Sequence, residues 1–241
     1  MSLVHKVYYF QNHLFFLKAG TESSPIVPYE LKSVTPALIA EEINAFLKKE
    51  TDKHFLHANE FEHWNISDRF ITVPSPVFDP LLKQHYWDRF FGNSRNDFNL
   101  EESGCKSLKV HVISEVPTWL NESLMVQFNQ QHSHPFLLEL LQESKSNVFQ
   151  MNILIVRNYF VLALKTNRDL FYFDSNRFDA IDDILYTIIN VIKQQNLEMR
   201  ETECNIYGFC SGLIVQTLKD GLPKIKHLAA TEINERVKPF L

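Results

Sequence analysis

Three cysteines in 241 residues, Cys105, Cys204 and Cys210, leave at least one thiol unpaired and show no C-x-x-C spacing. That excludes a disulfide framework and a zinc knuckle and fits a reducing cytoplasm. No uninterrupted apolar run approaches the ~20 residues of a membrane helix, so no membrane insertion is expected. The first twenty residues, "MSLVHKVYYFQNHLFFLKAG", are apolar, but His5, Lys6, Gln11, Asn12 and His13 break any continuous signal-peptide core, and the stretch reads as two strands and a turn. Long like-charge runs are missing as well. A formal charge of −5, spread along the chain, lacks the footprint of a protein that binds nucleic acid or an anionic membrane.

What is present is an ordinary globular composition, 45% hydrophobic with 20 Phe, enough for one large core or two. In the C-terminal part, Met151 to Val156, Tyr159 to Lys165 and Leu170 to Asp174 are short apolar runs joined by tight polar breaks, an antiparallel meander in which Asn158 supplies the positive φ of the first turn. A helix follows, capped by Asp179, with Asp182 and Asp183 in its first turn and Ile181, Ile184, Leu185, Ile188, Ile189 and Ile192 at helical spacing. Glu203 to Tyr207 reads as a strand, Gly208 to Gly212 as a turn, Leu213 to Lys219 as a helix ended by Gly221, and Lys224 to Leu228 as a last strand. The order is β-β-β-α-β-α-β.

The N-terminal half reads in the same order. Val4 to Phe10, His13 to Lys18 and Ile26 to Leu31 are strands, and a helix from Pro36 to Lys49, capped by Thr35, turns Ile39, Ile43, Phe46 and Leu47 inward. Arg69 to Val73 is the next strand, Pro80 to Phe91 a helix begun by Asp79 and stopped by Gly92, and Leu108 to Ser114 another strand. Residues 50 to 67 and 92 to 107 read as polar insertions. Helices from Thr118 to Phe128 and Pro135 to Glu143 lead into a linker at Glu143 to Asn147, "ESKSN". Domains are therefore expected over 1–144 and 145–241, a repeat of element order rather than of residue identity.

A three-stranded meander followed by alternating helices and strands resembles the ribonuclease H-like arrangement, and two in tandem look like the actin-like ATPase fold, an α/β class. More narrowly, "SHPFLLELLQES", "MNILIVRNYFVLALKTNRDLFYFDSNRF" and "DAIDDILYTIINVIKQQ", with "VPSPVFDP" in the first half, resemble a bacterial family, domain-of-unknown-function family 3822. The resemblance implies two lobes, a cleft between them, and ATP as the ligand of that cleft.

The chemistry of such ATPases needs an Asp and a Gly-rich turn in the first hairpin of each lobe, where backbone N–H groups cradle phosphate and the carboxylate holds magnesium. Here the hairpins are "YYFQNHLFF" and "LIVRNYFVL", with Gln11-Asn12 and Arg157-Asn158 at their turns. Neither contains Asp or Gly. Strands "VHKVYYF" and "MNILIV" also lack the carboxylates of a two-metal nuclease. Arg157 and Asn158 at one turn, and Gly208 and Gly212 in "NIYGFCSGLIVQTL", where the fold places an adenosine loop, are the candidate nucleotide contacts. Each has a plainer reading, as a solvated turn and as a tight bend.

Other constellations have plainer readings too. His54, His57 and His63 with Glu60 and Glu62 match no zinc motif and read as a solvated insertion. Cys210 in Gly208-Phe209-Cys210-Ser211-Gly212 sits where a helix N-terminus activates a thiol, but without an identifiable base. In "HYWDRFFGNSRNDF", Tyr86 and Phe90 with Leu82 are expected in the core and Trp87 and Phe91 only partly covered. The expectation is thus a cytoplasmic, non-catalytic binding or scaffolding protein without a cofactor, whose partner is another protein. The alternative is a nucleotide-binding protein or switch that uses the cleft without standard phosphate loops.

Overall fold

Runs rich in aromatic and branched residues make β1 (His5–Phe10) and β2 (His13–Leu17) an antiparallel hairpin, with Phe10 opposite His13 across the turn Gln11-Asn12. β3 (Ile26–Glu30) pairs antiparallel with β2, β4 (Phe61–Ile66) lies parallel to β1, and β8 (Ser133–Pro135, numbered along the chain) parallel to β4. The sheet order is β3-β2-β1-β4-β8. Helix α1 (Pro36–Thr51), whose Ile39 N–H donates to Thr35 O at 2.9 Å, buries Ile39 and Ile43 against Val7, Tyr9, Leu14 and Phe16, joined by Trp119 and Leu120. Each such buried side chain contributes about 1.5–3 kcal/mol.

These statements come from a computed structural model that describes residues 5–17, 26–33, 35–51, 61–120, 133–142, 149–197, 202–208, 212–222 and 225–230. Two compact units result. Met1–Arg69, Asp79–Ser103 and Ile113–Leu137 form the first, and Phe70–Phe78, Gly104–Val112 and Leu138–Leu241 the second.

In the second unit β9 (Phe149–Val156), β10 (Tyr159–Lys165) and β11 (Leu170–Arg177) form the expected antiparallel meander. β12 (Thr202–Gly208) runs parallel to β9, and β13 (Ile225–Ala230) parallel to β12. Helices α3 (Ile181–Gln194) and α4 (Gly212–Gly221) place Ile184, Ile188, Val191, Ile214 and Leu218 against Met151, Ile153, Ile155, Phe160, Leu162 and Leu164. The order β11-β10-β9-β12-β13 repeats that of the first sheet, outer strands of the meander first and parallel strands last. A shared detail accompanies the shared order. Leu31 N–H donates to Asn12 O at 2.7 Å, and Phe178 N–H donates to Asn158 O at 2.9 Å, each closing its meander onto the first hairpin's turn.

Several expectations are corrected. The fourth strand of the first sheet is β4, inside the stretch read as a polar insertion; β5 (Phe70–Pro74), read as that strand, belongs to a separate three-stranded sheet, order β5-β7-β6, with β6 (Phe98–Cys105) and β7 (Val110–Pro117). Asp79 does cap a 3-10 turn at Pro80–Leu82, accepting from Leu81 N–H at 2.9 Å, and α2 proper is Lys83–Phe91, closed by Gly92 at φ 69°. Residues Phe136–Leu141 form a 3-10 segment rather than an α-helix. At α3 the N-cap is Ala180, and the Asp183 carboxylate, not Asp179, accepts the Asp179 and Ala180 N–H groups at 2.9 and 2.8 Å. Residues 52–60, 121–132, 143–148 and 209–211 lie outside the described residues, and with them His54, His57, Glu60, most of the Thr118 helix, the linker and Cys210.

Candidate functional site

The turn of the first hairpin is held from its side chain. Gln11 adopts φ 53°, and its Nε2 donates to Asp68 Oδ2 at 3.1 Å. Asp68 Oδ1 accepts from Arg95 Nη2 at 3.1 Å. Arg95 Nε then donates to Glu115 Oε2 at 2.5 Å, its backbone N–H donates to Glu115 Oε1 at 2.8 Å, and Arg69 Nη1 lies 3.3 Å from Glu115 Oε2. The Glu115 side chain is entirely buried, while its guanidinium partners keep part of their surface in water, so two guanidinium groups and two carboxylates balance one another at the edge of the core. Aromatic rings close the sides. Arg95 sits 4.3 Å from the Phe98 ring centroid, and Arg69 lies over Trp87 and Phe91. Burial also pushes the nearby Tyr9 phenol well above its ordinary range, against the pull of Arg95.

The network tests whether this turn fits the magnesium and phosphate of an ATPase. Both Asp68 oxygens already accept, one from an amide and one from a guanidinium, so the carboxylate is neutralised from inside the protein. A magnesium ion there would compete with the Arg95 guanidinium for this carboxylate, and among the described residues no three His, Cys, Asp or Glu side chains converge to hold a metal. The residues do not fit the group.

The second hairpin is different in chemistry and alike in shape. The positive φ falls on Arg157, 56°, rather than on Asn158 as expected, just as it falls on Gln11 in the first turn. Arg157 is exposed and Asn158 half-buried. A side chain at φ 56° occupies the position where a phosphate loop needs glycine. Gly208, the last residue of β12, has φ 90°, and a Cβ there would overlap Ile155 O, its neighbour on β9. Its lack of a side chain is therefore required for close strand approach. Gly212 begins α4.

Sequence reasoning brought Arg157 and Asn158 together at one turn, and placed Gly208 and Gly212 at two ends of another. It missed Asp68, Arg69, Arg95 and Glu115. The available signal was Glu115 within the apolar run "VISEVP", since a carboxylate inside a buried strand demands a cation. It missed the polar underside of the second sheet too. There Asn205 Nδ2 donates to Asn152 Oδ1 at 2.8 Å, Asn152 Nδ2 to Leu140 O at 2.6 Å, and the buried Lys165 Nζ to Gln142 O at 2.6 Å. These donors satisfy carbonyls at the end of the 3-10 segment, which is why that segment need not continue as an α-helix. Burial raises the Cys204 thiol to about 12, leaving it protonated and inert at neutral pH.

Among known proteins, the model of the family described as "Protein of unknown function (DUF3822)" matches residues 11–216. No curated protein matches. Of solved structures, a Bacteroides thetaiotaomicron protein with actin-like ATPase fold and unknown function is 15% identical with a TM-score of 0.63, over 96% of this chain and 92% of that one. The cytoplasmic domain of EpsL, an inner membrane component of the type II secretion system of Vibrio cholerae, aligns at 12% identity and TM-score 0.48, over 93% and 96%. A PilM-PilN type IV pilus biogenesis complex aligns at 12% and 0.48, over 95% and 88%. The first likeness shows the actin-like ATPase fold, and fold alone does not specify chemistry.

Proposed function

The chain belongs to that family, and from this premise we propose that it is an actin-like ATPase framework without the ATPase chemistry, acting in the cytoplasm as a binding or scaffolding protein for another protein. In this reading its lobes, over 1–144 and 145–241, are each ribonuclease H-like, with residues 70–78 and 104–112 of the first stretch belonging to the second compact unit. The observation that carries it is the Gln11 to Asp68 bond. At the turn where the resemblance calls for glycine and a magnesium-binding carboxylate, the side chain present is committed to an internal ion network. The second turn offers Arg157 and Asn158 and no carboxylate of its own. Gly208 is accounted for by Ile155, so the purine contact at the β12 to α4 turn rests on Gly212 alone.

The test is turnover and ligand-induced stabilisation. Purified protein with Mg-ATP shows no hydrolysis above background, and millimolar ATP, ADP or GTP moves Tm by about 1 °C or less, where a ligand at ten times its Kd adds roughly 1.4 kcal/mol and about 3–5 °C. A larger saturable shift, abolished by Gly212→Val in a variant that remains folded, would overturn this reading in favour of a nucleotide switch.

A further inference from the structure

Apolar side chains on both α2 and α3 stand in water. On α2, contrary to the expected orientation, Trp87 is fully buried, whereas Leu82 and Phe90 are 46% and 69% exposed. Charges beside them are already engaged, Lys83 Nζ with Leu100 O at 2.6 Å and the Asp79 carboxylate with Leu81 N–H at 2.9 Å. The α3 surface differs. Tyr186 is 69% exposed, and Ile189, read from the sequence as part of the inward stripe, is 37% exposed. The helix cannot roll to hide them, because Ile184, Ile188, Val191 and Ile192 on its other side are buried in the core of the second unit.

Asp182 and Lys193 extend this pair into one line. The steps from 182 to 186, 189 and 193 are four, three and four residues, the spacing of a coiled-coil seam, so the four positions fall within about 60° of one another and span about 16 Å of helix. The other charges nearby are accounted for. The Asp183 carboxylate is taken by the Asp179 and Ala180 N–H groups, and Asp179 has Arg177 Nε at 3.9 Å. On the α4 side, where the Leu185 side chain fills the space beside Gly221, the exposed Lys219 and Asp220 are adjacent and opposite in sign. Asp182 and Lys193 are exposed, and among the described residues no hydrogen bond or ion pair engages either.

A line that reads acid, aromatic, aliphatic, base is its own complement when reversed. Because the two end steps are equal, a half-turn rotation that sets α3 antiparallel to the α3 of a second copy meets both requirements in one register. Tyr186 lies against Ile189 of the copy, and Asp182 against Lys193 of the copy, each contact occurring twice. Antiparallel helices also oppose their dipoles favourably. A parallel pair sets Asp182 on Asp182 and Lys193 on Lys193, and an anionic bilayer meets Asp182 and Asp183.

We propose that α3 is a self-association surface, on which a second copy of this chain packs its own α3 antiparallel along Asp182, Tyr186, Ile189 and Lys193. Such pairing is independent of nucleotide and of any other partner. One helix pair is smaller than a permanent dimer interface, so the association is weak and concentration-dependent.

Analytical ultracentrifugation of the full chain, from micromolar to near-millimolar concentration, is expected to show a monomer–dimer equilibrium that weakens with salt. Asp182→Lys and Lys193→Asp each set like charges at both ends and weaken dimerisation about tenfold or more, and Tyr186→Ala weakens it as well. Mixing the two charge variants in equal amounts makes the facing charges opposite again at both ends, so the mixture dimerises like wild type, a rescue that a misfolded variant could not give. Phe90→Ala, on α2, changes nothing. A monomer at every concentration, single charge variants that dimerise like wild type, or a mixture that stays monomeric overturns the proposal. So does a dimer that is lost in Phe90→Ala, which places the contact on α2.

Discussion

Gln11 and Asp68 meet at 3.1 Å through an amide N–H and a carboxylate oxygen, and this bond joins the first hairpin's turn to the ion network of Arg95, Glu115 and Arg69. The two ends of the network differ greatly in depth. Glu115 is fully buried between two guanidinium groups, while Gln11 is half-buried at the turn. Removing the Glu115 charge strips Arg69 of its carboxylate and leaves Arg95 paired with Asp68, and Glu115→Ala is expected to cost about 3 kcal/mol. Gln11→Ala removes one hydrogen bond to a charged acceptor and costs about 1–2 kcal/mol. Urea unfolding of both variants checks the ranking, and equal small losses would show that Glu115 is not the centre of the network.

Gly208 cannot accept a side chain. At φ 90° any Cβ is strained, and here it would overlap the Ile155 carbonyl in the middle of the sheet. Gly208→Ala is expected to destabilise by about 3 kcal/mol or more, through backbone strain and separation of β12 from β9. By contrast Gly92→Ala, at φ 69° and ψ −141° with open space around it, bears only the backbone penalty of a region that glycine adopts most easily, about 1–2 kcal/mol. Thermal unfolding of the two variants separates steric from conformational cost. Similar shifts in Tm would contradict the close approach at Ile155.

Legibility followed burial pattern. The second sheet was readable nearly strand for strand because β9 and β10 are continuous apolar runs buried on both faces. β4 was not, since "FEHWNI" sets a charged, an imidazole and an amide group among its apolar ones, yet Asn65 and Ile66 are buried beside β1. "FITV" nearby is the more apolar stretch and drew the strand assignment that belonged to β4. β6 is partly solvated along its length, and after Phe98 and Leu100 its polar residues carry no apolar alternation. Within α2, spacing identified two aromatic stripes but not which of them faces inward. That choice depends on Arg69, a residue outside the helix whose stacking no periodicity records. The ion network was hidden for a similar reason: Asp68, Arg95 and Glu115 are distant in sequence and converge only through the fold.

Cys204 lies wholly inside the second unit's core, between Met151 and Ile206 in the same apolar cluster, and its thiol is pushed up to about 12 by burial. In folded protein at pH 8 it should resist iodoacetamide, because alkylation needs both thiolate and access. Site-resolved mass spectrometry before and after denaturation is the measurement. Modification of Cys204 at the rate of an unfolded thiol would place it outside the core.

Glu42 gives the clearest pH signature. Its carboxylate accepts from Tyr29 Oη at 2.8 Å and from the Lys32 and Ser33 N–H groups, each at 2.9 Å, so one side chain on α1 ties down the segment that follows β3. Partial burial alone would raise its pKa, but the hydrogen bonds from Ser33, Lys32 and Tyr29 outweigh it and hold the group at about 2. The unfolded value is about 4.3. A carboxyl depressed on folding stabilises fully above its unfolded pKa, and that contribution is lost as pH falls through about 4 toward 2. Because the group is largely accessible to water, its contribution is discounted to about 1 kcal/mol. Glu42→Gln should therefore be less stable than wild type by about that amount at pH 7, and the gap should close as pH falls from about 5 to 2. Parallel urea titrations at stepped pH measure it. A gap unchanged at pH 2.5 would mean that the carboxylate charge is not what orders Lys32 and Ser33.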